Sequence, residues 1–130
     1  MLLGLDKQDR IHFRLPLCLE VKYRYFTELE PPREEEPVRL GRTENLSNGG
    51  LLLSGEDPPL ELAGDLLSGR VGMALSIEVP GAEPVQALAR VAWIEGLGQG
   101  GGCRMGLRFQ EITARSRDRI TDLLLETYLG

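Results

Sequence analysis

The chain reads as an all-β-dominated domain, a six-stranded antiparallel barrel followed by one C-terminal α-helix. Three observations carry that expectation. Segments with an apolar residue at every second position recur along most of the chain, separated by Gly, Pro and Asn. After Phe109 the apolar period lengthens from two residues to the three or four of a helix. Strands this short would also leave exposed edges unless the sheet closes on itself.

The first strand runs from Leu15 to Phe26, with Leu17, Leu19, Val21, Tyr23 and Tyr25 on one face and Cys18, Glu20, Lys22 and Arg24 on the other. Glu28 to Pro37 is rich in proline and glutamate and reads as a mobile, exposed loop solvated by its Glu34-Glu35-Glu36 run. Val38 to Glu44 is extended again, and Asn48-Gly49-Gly50 makes a turn because Asn and Gly tolerate positive φ. Leu51 to Leu53 is a short buried strand. Residues 55–70 hold paired prolines together with Gly64 and Gly69, which predicts an irregular connection with a single helical turn.

Met73, Leu75, Ile77 and Val79 alternate with Ala74, Ser76 and Glu78 in the next strand, closed by Pro80-Gly81. Val85, Ala87, Ala89, Val91 and Trp93 continue the alternation, which favours a core position for Trp93 beside Val91 over the alternative of a stacking surface at a ligand's border. Gly96 to Gly102 is a hairpin loop; it has GxG spacing but no GK[ST] ending and no following helix, so it does not cradle phosphates. Cys103, Met105, Leu107 and Phe109 form the inner face of the last strand, with Arg104 and Arg108 solvated outside. A helix over about residues 113–129 starts at Thr113 as N-cap and lays Ile120, Leu123, Leu124, Thr127 and Tyr128 on one stripe.

A length of 130 residues and a hydrophobic fraction of 42% suit a single globular core. No apolar run approaches the roughly 18 residues of a membrane helix, so no membrane insertion is expected. The start lacks a basic region and a long apolar stretch, so no secretory signal is expected either. Cys18 and Cys103 lie far apart and read as reduced, packed thiols of a cytoplasmic protein. One histidine without a neighbouring Cys or His makes no zinc site, and no nucleophile–base pair stands out, so neither metal-binding nor catalytic residues are expected.

The net charge of −5, the pI near 4.9 and the few aromatics argue against binding to a DNA or RNA polymer. The charge is uneven. Residues 1–27 carry Lys7, Arg10, Arg14, Lys22 and Arg24 against Asp6, Asp9 and Glu20, a local +2 on a body of −7. A basic arm on an acidic body suits one small anionic ligand better than a polymer.

Two stretches sharpen that inference. Arg10-Ile11-His12-Phe13-Arg14 places two guanidiniums four residues apart before the first strand. Asn45-Leu46-Ser47-Asn48-Gly49-Gly50 is a small polar turn between apolar runs. Either motif alone matches by chance. As a pair, in this order and on a β framework, they resemble the RxxxR and [D/N]xSxxG signature of the PilZ domain family of cyclic di-GMP receptors. Ala89-Arg90-Val91-Ala92-Trp93 and Arg104-Met105-Gly106-Leu107-Arg108-Phe109 resemble that family's later strands.

The resemblance implies a PilZ-type barrel of Greek-key, split-barrel-like form over residues 15–130, preceded by a flexible arm, residues 1–14. It also implies a bacterial, cytoplasmic, non-catalytic role in second-messenger signalling. Cyclic di-GMP would be the ligand rather than a cofactor, bound by Arg10, Arg14, Asn45, Ser47 and Gly50, and a downstream protein effector the further partner. Guanine presents O6 and N7 as adjacent acceptors that match an arginine fork, and the same fork can bridge phosphate oxygens. Asn45 can accept a guanine N–H and Ser47 can donate to a phosphate or carbonyl oxygen, while Leu46 between them turns inward. Gly50 would let backbone approach the ring, a role it shares with plain turn geometry.

Two positions depart from the family's pattern. Asp9 stands where a basic residue commonly precedes RxxxR, which predicts one bound ligand rather than a stacked pair. Asn45 replaces the commoner aspartate and accepts less well than a carboxylate. His12 reads as an exposed loop histidine. The competing reading is a PilZ-like adaptor that works through protein contacts alone.

Overall fold

Alternate burial follows the expected strands and closes them into a barrel. The computed structural model describes residues 15–27 and 37–130. Arg10, Arg14 and His12, the arm over 1–14 and the loop through Glu36 lie outside the described residues.

The first expected strand is two. Leu15–Pro16 (β1) pairs with the end of the third strand, and Glu20–Thr27 (β2) follows after a break at residues 17–19. Pro16 has no amide to continue the ladder. Thr43 ties the break down instead: its hydroxyl accepts from the Leu19 amide at 2.8 Å and donates to the Leu17 carbonyl, and its own amide donates to the Leu19 carbonyl at 2.9 Å. The inner face is as read from the sequence, with Leu19, Val21, Tyr23 and Tyr25 buried. Cys18 is exposed, not packed as expected, because it falls on the outward side of the break; Cys103 is buried.

Arg39–Ser47 (β3) and Gly50–Gly55 (β4) form a hairpin across Asn48-Gly49. The 55–70 connection holds more structure than expected. Leu60–Ser68 (α1) is a nine-residue helix, with Pro59 before its first turn and Gly69 in the left-handed region at φ 85°. The prolines fall where a missing amide does no harm, and Gly69 stops the helix instead of preventing it. Leu66 is its fully buried anchor.

Val71–Ile77 (β5), Val85–Gly96 (β6) and Cys103–Glu111 (β7) complete the sheet. The six strands close in the order β3-β2-β5-β6-β7-β4, with β4 returning to β3, and β1 adds a short antiparallel pair on β3. Leu46, Leu53, Met73, Ile77 and Met105 fill the centre.

Ala114–Leu129 (α2) starts at Thr113, whose hydroxyl accepts from the Ser116 amide at 3.0 Å. Ile120 and Leu124 are buried with Leu123 partly so, while Thr127 and Tyr128 stand exposed, so the seam is narrower than the predicted stripe. The helix packs on β1, β3 and β6. Among the described residues, no helix is long and apolar enough to cross a membrane.

Candidate ligand-binding ledge

Two β-bulges decide what the outer face of the barrel presents. In β3 the partners step from Thr43↔Leu53 to Asn45↔Leu52, so Glu44 is the extra residue. Strict alternation from buried Gly41 and Thr43 would turn Asn45 inward. With the bulge, Leu46 points in and is fully buried, while Asn45 joins Glu44 on the outer side.

In β6 the partners step from Val91↔Leu107 to Trp93↔Gly106, making Ala92 the extra residue. Trp93 is therefore 44% exposed and not in the core as its alternation with Val91 suggested. Register then joins the two sites. Asn45 lies opposite Leu52, Leu52 opposite Gly106, and Gly106 opposite Trp93, one row running across four strands. Pro16 of β1 borders the same row on the far side of Asn45.

The predicted motif residues at the β3–β4 turn come together, with different work to do. Asn45 Oδ1 is buried and has no hydrogen-bond partner among the described residues. A buried acceptor without a partner is costly, a state shared among the described residues by the Tyr23 and Tyr25 hydroxyls and Arg39 Nε; of these, Asn45 is the one on the outward row. Ser47 is 2% exposed and its hydroxyl is used locally: it accepts from the Gly49 and Gly50 amides and donates to the Gly50 carbonyl. It shapes the turn from within. Gly50 is buried, and a Cβ there would sit 2.0 Å from the Leu107 carbonyl oxygen, so its glycine is required by the approach of β4 to β7.

One rim of the row carries a closed ion-pair network. Arg104 meets Glu44 through two hydrogen bonds of 2.9 and 3.0 Å and reaches Glu95 at 3.3 Å. The Arg104 hydrogen bonds hold the Glu44 carboxyl below its ordinary pKa. A depressed carboxylate stabilises the fold at neutral pH and loses that contribution as pH falls through its folded-state pKa. Both side chains are part-exposed, so solvent screens the gain. The opposite rim is cationic: Gly50, Arg108 and Arg90 face one another across β4, β7 and β6.

Elsewhere on the barrel, a cleft of about 620 Å³ runs past Gln86, Gln110, Thr113 and Arg117, and another of about 250 Å³ past Lys22, Arg24 and Ser76. The first is lined by no residue with a buried, partnerless polar atom among the described residues; the second is bordered by Tyr23, whose buried hydroxyl has none. No group of three or more His, Cys, Asp or Glu fit to hold a metal ion occurs among the described residues. Burial raises the pKa of the Cys103 thiol, which also contacts the Glu56 carbonyl.

Leu52 and Gly106 carry no signal in the sequence, and alternation favours a core place for Trp93, because a bulge leaves no mark in apolar spacing. The one available signal was Gly106 facing outward among larger residues.

A family model for the PilZ domain matches residues 8–126. Among solved structures, the inhibitor of motility MotI (DgrA) of Bacillus subtilis superposes with a TM-score of 0.65 at 21% identity, over 92% of this chain and 51% of that one. The PilZ domain of YcgR from Escherichia coli, solved with c-di-GMP, gives 0.62 at 14% identity over 90% and 89%. MrkH of K. pneumonia, solved as a c-di-GMP complex, gives 0.62 at 17% identity over 92% and 52%. The chain thus spans about half the length of MotI and of MrkH. At these identities the likeness is one of fold. No curated protein sequence matches the chain.

Proposed function

The chain belongs to the PilZ domain family, and from that premise we propose that it is a non-catalytic receptor for cyclic di-GMP. The observation that carries the proposal is the buried, partnerless Asn45 Oδ1 on the outward row, an acceptor placed where a guanine N–H would satisfy it. The cationic rim at Arg108 and Arg90 supports an anionic ligand on an otherwise acidic protein. The solved complexes of YcgR and MrkH with c-di-GMP support the same ligand class.

In this reading, Arg10 and Arg14 close over the ligand from the arm, residues 1–14, while Asn45 reads it from the barrel. Ser47 and Gly50 serve by holding the turn that sets Asn45. Closure changes the surface offered to an effector protein, and the ligand shifts that equilibrium by its preference for the closed arm. Control of motility, exopolysaccharide or adhesion in a bacterial cytoplasm is the corresponding physiological role.

Calorimetry of the full chain with cyclic di-GMP is the test. The expected result is saturable binding of one ligand per chain, because Asp9 removes a second phosphate partner. Arg14→Ala should then lose about 1–3 kcal/mol, the worth of a bidentate contact. Unchanged affinity in that variant would take the arm out of the mechanism, and two ligands per chain would overturn the role given to Asp9. The alternative is a PilZ-like adaptor that does not bind the nucleotide. Internal use of the Ser47 hydroxyl and of Gly50 favours it, and an absence of binding heat would select it.

A further inference from the structure

We infer that the inner face of the barrel, at the end where β3 begins, carries a binding site for a small anion of chloride size, built from Arg39, Tyr23 and Tyr25 and separate from the outward ledge.

The chain places a charge where a barrel interior calls for hydrocarbon. Arg39 opens β3 on the same side as buried Gly41 and Thr43, so it faces inward, and its side chain is only 20% exposed. It stands opposite Tyr23 in the β2–β3 ladder, and its Cζ lies 5.1 Å from the centre of the Tyr25 ring. The two tyrosine rings meet edge to face with centroids 5.8 Å apart, and both residues are buried. One guanidinium and two phenols thus share a single corner of the core.

Three polar atoms of this corner have no hydrogen-bond partner among the described residues: Tyr23 Oη, Tyr25 Oη and Arg39 Nε. All three groups carry a hydrogen to donate. Burial raises the pKa of both phenols, so each keeps its proton at neutral pH. The Arg39 charge is also poorly balanced. Its Nη1 reaches the Glu56 carboxylate only at 3.7 Å, and that side chain is 62% exposed, so solvent screens the pair. The Tyr25 face offsets part of the lost hydration but satisfies no N–H. A buried cation and buried unpaired donors are each costly. A water would serve the hydroxyls and leave the charge; one anion answers both.

Crowding sets the size. A Cβ on Gly55 would lie 2.8 Å from the Tyr23 hydroxyl, and the Cys103 thiol is already turned to the Glu56 carbonyl at 3.3 Å. Single donors from three separate side chains suit a spherical ion better than a branched oxyanion.

The test follows unfolding of the full chain at constant ionic strength while sodium gluconate is replaced by sodium chloride. The wild type should gain stability saturably, its folding constant rising about elevenfold when chloride reaches ten times its Kd. Arg39→Met, which removes the charge and keeps a long side chain, should show no chloride response. Tyr25→Phe keeps the ring, should lose most of the response, and serves where Arg39→Met fails to fold. Glu56→Gln should tighten chloride binding by removing a like charge. Crystals grown in bromide should show its anomalous signal within hydrogen-bonding distance of Arg39 Nε and both hydroxyls. A water at that position in such crystals, or wild-type stability indifferent to chloride, would overturn the site. An equal chloride gain in the wild type and in Arg39→Met would place the ion elsewhere and overturn it as well.

Discussion

Gly50→Ala is expected to lose about 3 kcal/mol or more of folding stability, at the upper end of what one added methyl costs. The cause is placement. The new Cβ would stand 2.0 Å from the Leu107 carbonyl oxygen, 3.0 Å from its carbon and 3.1 Å from the Arg108 Cα, all backbone atoms that no rotamer change can move aside. Relief requires β4 to separate from β7 at the Gly50↔Arg108 pair, which also strains the hydrogen bond of 2.9 Å from the Phe109 amide to the Gly49 carbonyl. Urea denaturation monitored by circular dichroism checks this, and a loss below about 1 kcal/mol would mean that the strand end peels away freely. The consequence for function is specific. Weakened ligand binding in a Gly50 variant would report a distorted β3–β4 turn before it reported a lost contact, so binding in such a variant is interpretable only beside its stability.

Thr43→Val should cost about 2–3 kcal/mol although it preserves shape and volume. Thr43 is 1% exposed, and its hydroxyl serves both the Leu19 amide and the Leu17 carbonyl in the segment joining β1 to β2. Valine leaves a donor and an acceptor there without partners. Thr43→Ser, which keeps the hydroxyl and loses only a methyl, should be markedly less damaging; equal losses in the two variants would show that packing, not hydrogen bonding, sets the cost. The effect reaches the ledge. Pro16 of β1 pairs with Asn45, so loosening residues 17–19 frees the strand bordering the Asn45 side chain and weakens ligand binding beyond the stability loss.

The strands, the final helix and its cap were legible in the sequence because each rests on local chemistry. Leu19 through Tyr25 alternate without interruption, and Thr113 precedes a helical period with a side chain able to cap it. Helix α1 was not, since Pro58-Pro59 and Gly69 break structure in general but delimit a helix when they fall at its ends. The motif turn was legible as a set of neighbours, but Leu46 points inward because of the bulge at Glu44, where strict alternation from Thr43 would have turned Asn45 in. What each motif residue does was less so. Ser47 and Gly50 have structural tasks set by the Gly49 and Gly50 amides and by the Leu107 carbonyl, contacts that no local pattern encodes. The outward turn of Trp93 depends on one extra residue, Ala92, whose effect appears only when β7 supplies the register.

Where cyclic di-GMP lands on the barrel decides the matter, and proton–nitrogen NMR of the full chain through a titration to saturation reads it. A nucleotide seated on the ledge gives saturable shifts in the Asn45 side-chain amide, the Leu52 and Gly106 backbone amides and the Trp93 indole N–H, with Lys22, Ser76 and Gln86 on the β2–β5–β6 side unmoved. Saturable shifts on that other side with the Asn45 amide unmoved, or no shifts anywhere, would contradict it.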